Sequence, residues 1–343
     1  MKILLLHLDG KLPNLALMRV AAHHRAAGDV VTYRRAEHAS RVAPQFGDSF
    51  DRVYASAIFQ KSLPLVAAVK QQWPGAIVGG TGVSVGRTLA DVGIDTLATD
   101  YSDHPADFSM GFVFRGCRLG CSHCVVPEKE GRVRPEQTVG EIWRGDPHPR
   151  HLILLDNDFG GHPTWRDRAR EIIDGRFKVS FFQGLNARLL SEELAEALAA
   201  MDLRDAKFKE KRIYTAWDNR RDEKTLFRGL GWLVNAGIRP DNITVYVLCG
   251  YCHFHQGPAS RCPSTCSHAD HHEDRDYRRR RLREFGADPY PMPYERTPEL
   301  VAFQRYVVQQ WDKRVSWRDW TRARYQPANL RPEPTFPLLE VLS

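Results

Sequence analysis

The sequence has no long apolar run. The longest near its start, Ile3 to Leu6, is broken by His7 and Asp9, too short for a signal peptide's apolar region or a membrane span. A cytoplasmic location and no membrane partner are expected. Cysteine is missing before Cys117; three then fall within eight residues, and four more lie between Cys249 and Cys266. Thiols bunched in this way point to metal sites in a reducing compartment rather than to disulfides. Low-complexity segments and repeats of about 20–50 residues are absent, so solenoids and propellers are excluded.

What is present suits a globular chain of two domains. Its 343 residues are 42% hydrophobic and 27% charged, enough for a large core without disulfide staples. The net charge of +7 permits an anionic partner such as nucleic acid without requiring one. Much of the excess sits in Arg278, Arg279, Arg280 and Arg281, and in Lys313 to Arg324. A solvated helix face and a basic, aromatic C-terminal tail (residues 313–343) are the first account of it, ahead of nucleic-acid contact. In that tail Trp317 and Trp320 are spaced as one packed helix face.

Residues 1–100 alternate strand and helix. Strands are expected at Lys2–Leu8, Val30–Tyr33, Arg52–Ile58 and Ala76–Val78, with helices at Leu15–Ala27, closed by Gly28, and Leu63–Trp73. This rhythm implies a small Rossmann-like, doubly wound parallel sheet. A polar linker from Asp100 to Phe108 precedes a second alternation over residues 109–312. Its strands are expected at Gly111–Arg115, His151–Leu155, Lys178–Phe182, Arg212–Ala216, Ile243–Leu248 and Pro289–Met292. Helices fall between them, with Thr164, Ser191 and Thr297 as N-caps. Six such units suit a partial (β/α)6 TIM-type barrel, whose active residues lie at the C-terminal strand ends.

Cys117-x3-Cys121-x2-Cys124 directly follows the first of these strands. Three thiolates on a tight loop can hold a [4Fe–4S] cluster and leave one iron open, as a catalyst needs. Gly116 and Gly120 would let the backbone turn closely around it. The other reading is a zinc site completed by His123, His104 or His151.

With this triad after a strand, the chain resembles the radical SAM superfamily. The resemblance extends to Leu155–Phe159, Phe182–Arg188, Thr215–Asn219 and Val245–Tyr251, which are similar to the ends of strands two to five in members with a cobalamin-binding-like N-terminal domain. It implies an enzyme whose cluster binds S-adenosylmethionine and, given one electron from a flavodoxin- or ferredoxin-like donor, cleaves it to a 5′-deoxyadenosyl radical that abstracts hydrogen from a substrate the sequence does not name. It also implies a cofactor or substrate pocket lined by Asp156, Asp158, Gln183, Asn186, Arg188 and Asp218. One departure is His123, where members usually carry an aromatic residue.

The first domain is similar to the cobalamin-binding fold in Ser56 and the turn from Gly79 to Thr81. It lacks the Asp-x-His-x-x-Gly motif, reading Leu8 to Pro13 instead, and has little room for a final strand and helix. A degenerate domain is expected, with a cobalamin-dependent methylase as the alternative. His7 is expected to be a buried, hydrogen-bonded histidine.

Cys249, Cys252, Cys262 and Cys266 form the second group, in a Cys/His-rich insertion spanning residues 249–272. Four thiolates at this spacing suit a structural zinc ion or an auxiliary iron–sulfur cluster. Cys249 can instead belong to the strand, with a histidine completing the set. A metal-stabilised nucleic-acid-binding module is the reading from another functional class.

Overall fold

The computed structural model describes residues 1–263 and 265–324. They divide into two units, Met1–Gly111 and a second beginning at Phe112. The tail beyond residue 324 lies outside the described residues.

In the first unit four parallel strands lie in the order Val30–Arg35, Lys2–His7, Arg52–Ser56, Ile77–Gly79. Lys2–His7 is apolar at successive positions because both of its faces are covered. Ile3 and Leu5 pack with Leu17, Val20 and Ala21 of the helix Leu15–Ala26. Leu4 and Leu6 pack with Val66 and Val69 of the helix Leu63–Gln72. Asn14 caps the first helix, accepting from the Leu17 amide at 3.1 Å, and donates to Ser56 Oγ at 2.9 Å. Between the fourth strand and Ser109 the unit has one short 3-10 turn, Ala90–Val92, and no further strand.

The second unit is α/β with two parallel sheets. Asp202–Leu203, Lys178–Ser180 and His151–Leu154 are neighbours in that order in one, and Ile213–Ala216, Ile243–Cys249 and Asp288–Pro293 in the other. The Leu185 amide donates to Tyr214 O at 2.7 Å and Tyr246 Oη to Phe182 O at 2.9 Å, so the two sheets meet just beyond Ser180. Among the described residues the strands do not close into a barrel. Helices Trp165–Asp174, Glu192–Ala200, Glu223–Asn235, His272–Phe285 and Pro298–Val308 follow the strands. Leu198, Leu226, Leu230, Leu282 and Phe303 bury their apolar faces in one core with Trp217.

Three expectations need correcting. The strand expected at Gly111–Arg115 is two pieces, Ser109–Gly111 and Phe114–Arg115, the second paired antiparallel with Arg134–Pro135. Ser191 and Thr297 cap their helices, but Thr164 makes no capping bond, since its hydroxyl pairs with His162 Nδ1. The arginine run is a solvated face only in part: Arg280 and Arg281 are exposed at 57% and 40%, but Arg278 and Arg279 are not. Arg275, Arg278 and Arg279 are buried, and Arg278 donates to Trp217 O and Leu248 O, both at 2.7 Å, and to Asp270. Its guanidinium satisfies carbonyls at two strand ends that no helix reaches.

Trp317 and Trp320 do form one packed face, their rings stacked 5.5 Å apart and both against Tyr306. No helix among the described residues is long and apolar enough to cross a membrane.

Candidate metal centres

The triad loop leaves the strand Phe114–Arg115 and ends at the helix Val126–Glu130. Two carboxylates from the loop after His151–Leu154 hold it. Asp156 is buried and accepts the Val113 amide at 3.1 Å and the Phe114 amide at 2.7 Å. Asp158 accepts the Arg118 amide at 3.1 Å and its Nε and Nη2 at 2.9 and 3.0 Å. Gly116 has φ +97°, and a Cβ there would sit 2.4 Å from Arg132 O, so only glycine lets the chain turn at this point. Gly120 has open space around it and no such φ; the tight turn needs Gly116 alone.

Other residues from the strand ends reach the same loop. Arg188 pairs with Asp222 at 2.5 Å and interacts electrostatically with Cys121 and Asp218. Asp218 pairs with His123 Nε2 at 3.5 Å and acts electrostatically on Cys124, as Asp158 does on Cys117. Burial opposes ionisation of Asp218, yet His123, Arg188 and Arg278 hold its carboxyl below the ordinary range. Asn186 is turned back locally, its Oδ1 accepting from the Arg188 amide and Nε. Gln183 is half-buried in the turn that follows Lys178–Ser180. The structure thus gathers Asp158, Arg188 and Asp218 around the triad, whereas Asp156 and Asn186 are engaged in backbone and loop bonds.

The Cys117 and Cys124 thiols are pushed up by burial and by the neighbouring thiols. Among the described residues, Cys117, Cys121 and Cys124 are not part of a group of three or more donors that converges as the ligands of one ion do. The histidines that a zinc reading would need are engaged elsewhere: His123 with Asp218, His151 stacked on Phe208 at 4.5 Å, and His104, in the first unit, edge-on to Tyr33.

A second group does converge. Cys252, His255, Cys262 and Cys266 place one donor atom each within 4.8 Å of the others and could hold a metal ion. His255 Nδ1 lies 3.3 Å from Cys252 Sγ, 3.1 Å from Cys262 Sγ and 3.9 Å from Cys266 Sγ, and the Cys252 and Cys266 sulfurs are 3.8 Å apart. Burial opposes the Cys252 thiolate, but the His255 amide, Cys262 and the imidazole lower it to about 6. Cys249 is not in this group. It is the last residue of Ile243–Cys249, fully buried, with its thiol donating to Val247 O at 3.2 Å and pushed up by burial to about 12.

The two groups are linked. Tyr251 Oη and Ser122 Oγ are 3.0 Å apart, and His253 Nε2 lies 3.0 Å from Asp218 O. The rings of Tyr251 and His253 stand edge-on to His123 at 5.5 and 6.0 Å. Sequence reasoning did not reach these contacts or the Arg118–Asp158 pair. It leaves open a histidine in place of Cys249, and the spacing Cys252-x2-His255 is the signal that singles out which one.

No family model matches the chain, and no curated protein matches it.

Proposed function

We propose that this chain is a radical SAM enzyme, with Cys117, Cys121 and Cys124 ligating a [4Fe–4S] cluster. The observation that carries the reading is the triad's setting: two half-buried thiols and one exposed, on one short loop, among Asp158, Arg188 and Asp218 from three strand ends. The donor set fits the group, since Cys117, Cys121 and Cys124 lie on one short loop and three thiolates can each bind a different iron of a cube. Bound there, such a cluster supplies an open iron for S-adenosylmethionine and the electron that cleaves it. Asp156 and Asp158 hold the loop, and Arg188 and Asp218 offer opposite charges beside Cys121 and Cys124 to the amino-acid end of that cofactor. The two parallel sheets, joined by Leu185 to Tyr214, read in this light as an open partial barrel.

The remaining parts follow from this reading. The electron comes from a flavodoxin- or ferredoxin-like donor in a reducing cytoplasm, where the seven free thiols persist. The first unit acts as a degenerate cobalamin-binding-like domain, its Ser56 hydroxyl engaged by Asn14. The Cys252 group adds a second metal, zinc or an auxiliary cluster. The nucleic-acid alternative has less to stand on, because Arg279, Arg280, Arg281 and Arg283 are paired with Asp276, Asp312, Glu223, Glu284 and Asp288.

Anaerobic reconstitution tests the proposal. Reduced protein given S-adenosylmethionine should release 5′-deoxyadenosine, and the variant with Cys117, Cys121 and Cys124 all changed to alanine should not. Wild-type protein that takes up iron at the triad yet forms no 5′-deoxyadenosine would sink the enzyme reading. Nucleic-acid affinity that survives the triple change, with no cleavage by either protein, would favour the binding module.

A further inference from the structure

We infer that Cys252, His255, Cys262 and Cys266 hold a single tetrahedral Zn2+, and that this ion positions Tyr251 and His253 against the loop bearing Cys121 and Cys124.

The ligand geometry selects the metal. Zinc bound at about 2.3 Å to sulfur and about 2.0 Å to imidazole nitrogen gives tetrahedral edges of about 3.8 Å between sulfurs and about 3.5 Å between sulfur and nitrogen. The observed Cys252–Cys266 separation is 3.8 Å, and the three sulfur–nitrogen separations run from 3.1 to 3.9 Å. The ligands of an iron–sulfur cube each bind a different iron, so they stand farther apart than the edges of one tetrahedron. Three thiolates and a neutral imidazole close the coordination sphere. No position is left for water or substrate, the mark of a structural ion, and zinc has no redox chemistry to divert electrons.

The local fold prepares the site. Tyr251–Cys252 pairs antiparallel with Gly257–Pro258, and the turn between them brings the His255 amide to 3.5 Å from Cys252 Sγ. The Cys266 amide donates to Pro263 O at 2.9 Å, folding Cys266 back towards Cys262. His271 Nε2 lies 3.0 Å from Cys266 O, and the Gly250 amide donates to Asp270 at 2.6 Å, so both ends of the insertion are fixed to the same short stretch.

The ion's position gives it a second role. Cys252 lies between Tyr251, whose hydroxyl pairs with Ser122, and His253, which pairs with Asp218 O. Ser122 and His123 are the two residues between Cys121 and Cys124. A ligand fixed between two residues that both touch that loop makes the zinc a staple for the loop. This positional part rests on the cluster reading given above; the ion itself does not.

Metal analysis of the full chain, with Cys249→Ala as a control for folding, separates the two. Wild type, Cys249→Ala and the triple alanine variant of the triad should each retain one zinc per chain. Cys262→Ser and His255→Ala should retain several-fold less, and His255→Cys should restore it. Cobalt exchanged into the site should give tetrahedral ligand-field bands with thiolate charge transfer. Zinc unchanged in both Cys262→Ser and His255→Ala, or iron in this site in the triple variant, would overturn the ion. After reconstitution, Cys262→Ser should lose triad iron several-fold faster than wild type under chelator; equal rates would overturn the staple. If wild-type protein takes up no triad iron at all, the cluster reading has failed and the zinc counts still stand as the test of the ion.

Discussion

Asp158 grips Arg118 three times, through the guanidinium at 2.9 and 3.0 Å and through the backbone amide at 3.1 Å. The carboxylate is buried while the arginine side chain is 41% exposed, so the amide bond is the better shielded part of the contact. One side chain thereby fixes the residue after Cys117 from a different strand end.

Asp158→Ala should lower stability by about 1–3 kcal/mol, the loss of hydrogen bonds to a charged group. It should also lower the iron retained after reconstitution. Urea unfolding gives the first quantity and iron per chain the second. Unchanged values for both would mean that the loop is held by other contacts.

Arg278 is 2% exposed and ties Trp217 O, Leu248 O and Asp270 together. Arg278→Met removes the nearer of the two arginines facing the buried Asp270 carboxylate, at 2.5 Å against 3.9 Å for Arg275, and should cost about 3–5 kcal/mol. Arg278→Lys should recover only part of it, because an ammonium cannot span three acceptors as a planar fork does. Denaturant midpoints of the two variants check the order.

How much of this could be read in the sequence depended on whether a pattern had one physical meaning. Ile3 to Leu6, apolar at successive positions, reads as a strand covered on both faces, and it is one. Arg278 misled because a basic run ordinarily faces water. Yet Arg275, Arg278, Arg279 and Leu282 have the spacing of a buried helix face. The surface they meet is made of carbonyls and carboxylates, which arginine rather than leucine satisfies. Cys249 is open to two readings in the sequence, a metal ligand spaced as a knuckle from Cys252 or a strand residue with a histidine in its place. Strand register turns it inward, and His255 is the fourth donor that converges. Contacts such as Tyr251 to Ser122 join residues far apart in the chain, and no local pattern announces them.

His7 is fully buried beside Tyr33, and burial, then the charge of Arg35, lowers it from 6.5 to about 4. A histidine depressed in the folded state stabilises it above the unfolded value. That contribution is lost as the pH falls from about 6.5 to about 4, with a slope of at most about 1.4 kcal/mol per pH unit. Unfolding free energies of wild type should therefore drop more steeply across this window than those of His7→Gln. Parallel curves would show that His7 does not titrate differently on folding.

Gly116 and Gly120 flank Cys117 and Cys121 symmetrically in sequence but not in structure. A methyl group at Gly116 meets Arg132 O at 2.4 Å and a backbone with φ +97°, whereas one at Gly120 meets nothing within 4 Å. Gly116→Ala should then cost about 1–3 kcal/mol as backbone strain and reduce iron uptake by the triad. Gly120→Ala should leave stability within about 0.5 kcal/mol of wild type. If Gly120→Ala folds normally yet fails to take up iron while Gly116→Ala succeeds, the open side of the loop, and not its anchored end, is where a bound cluster makes its closest approach to the backbone.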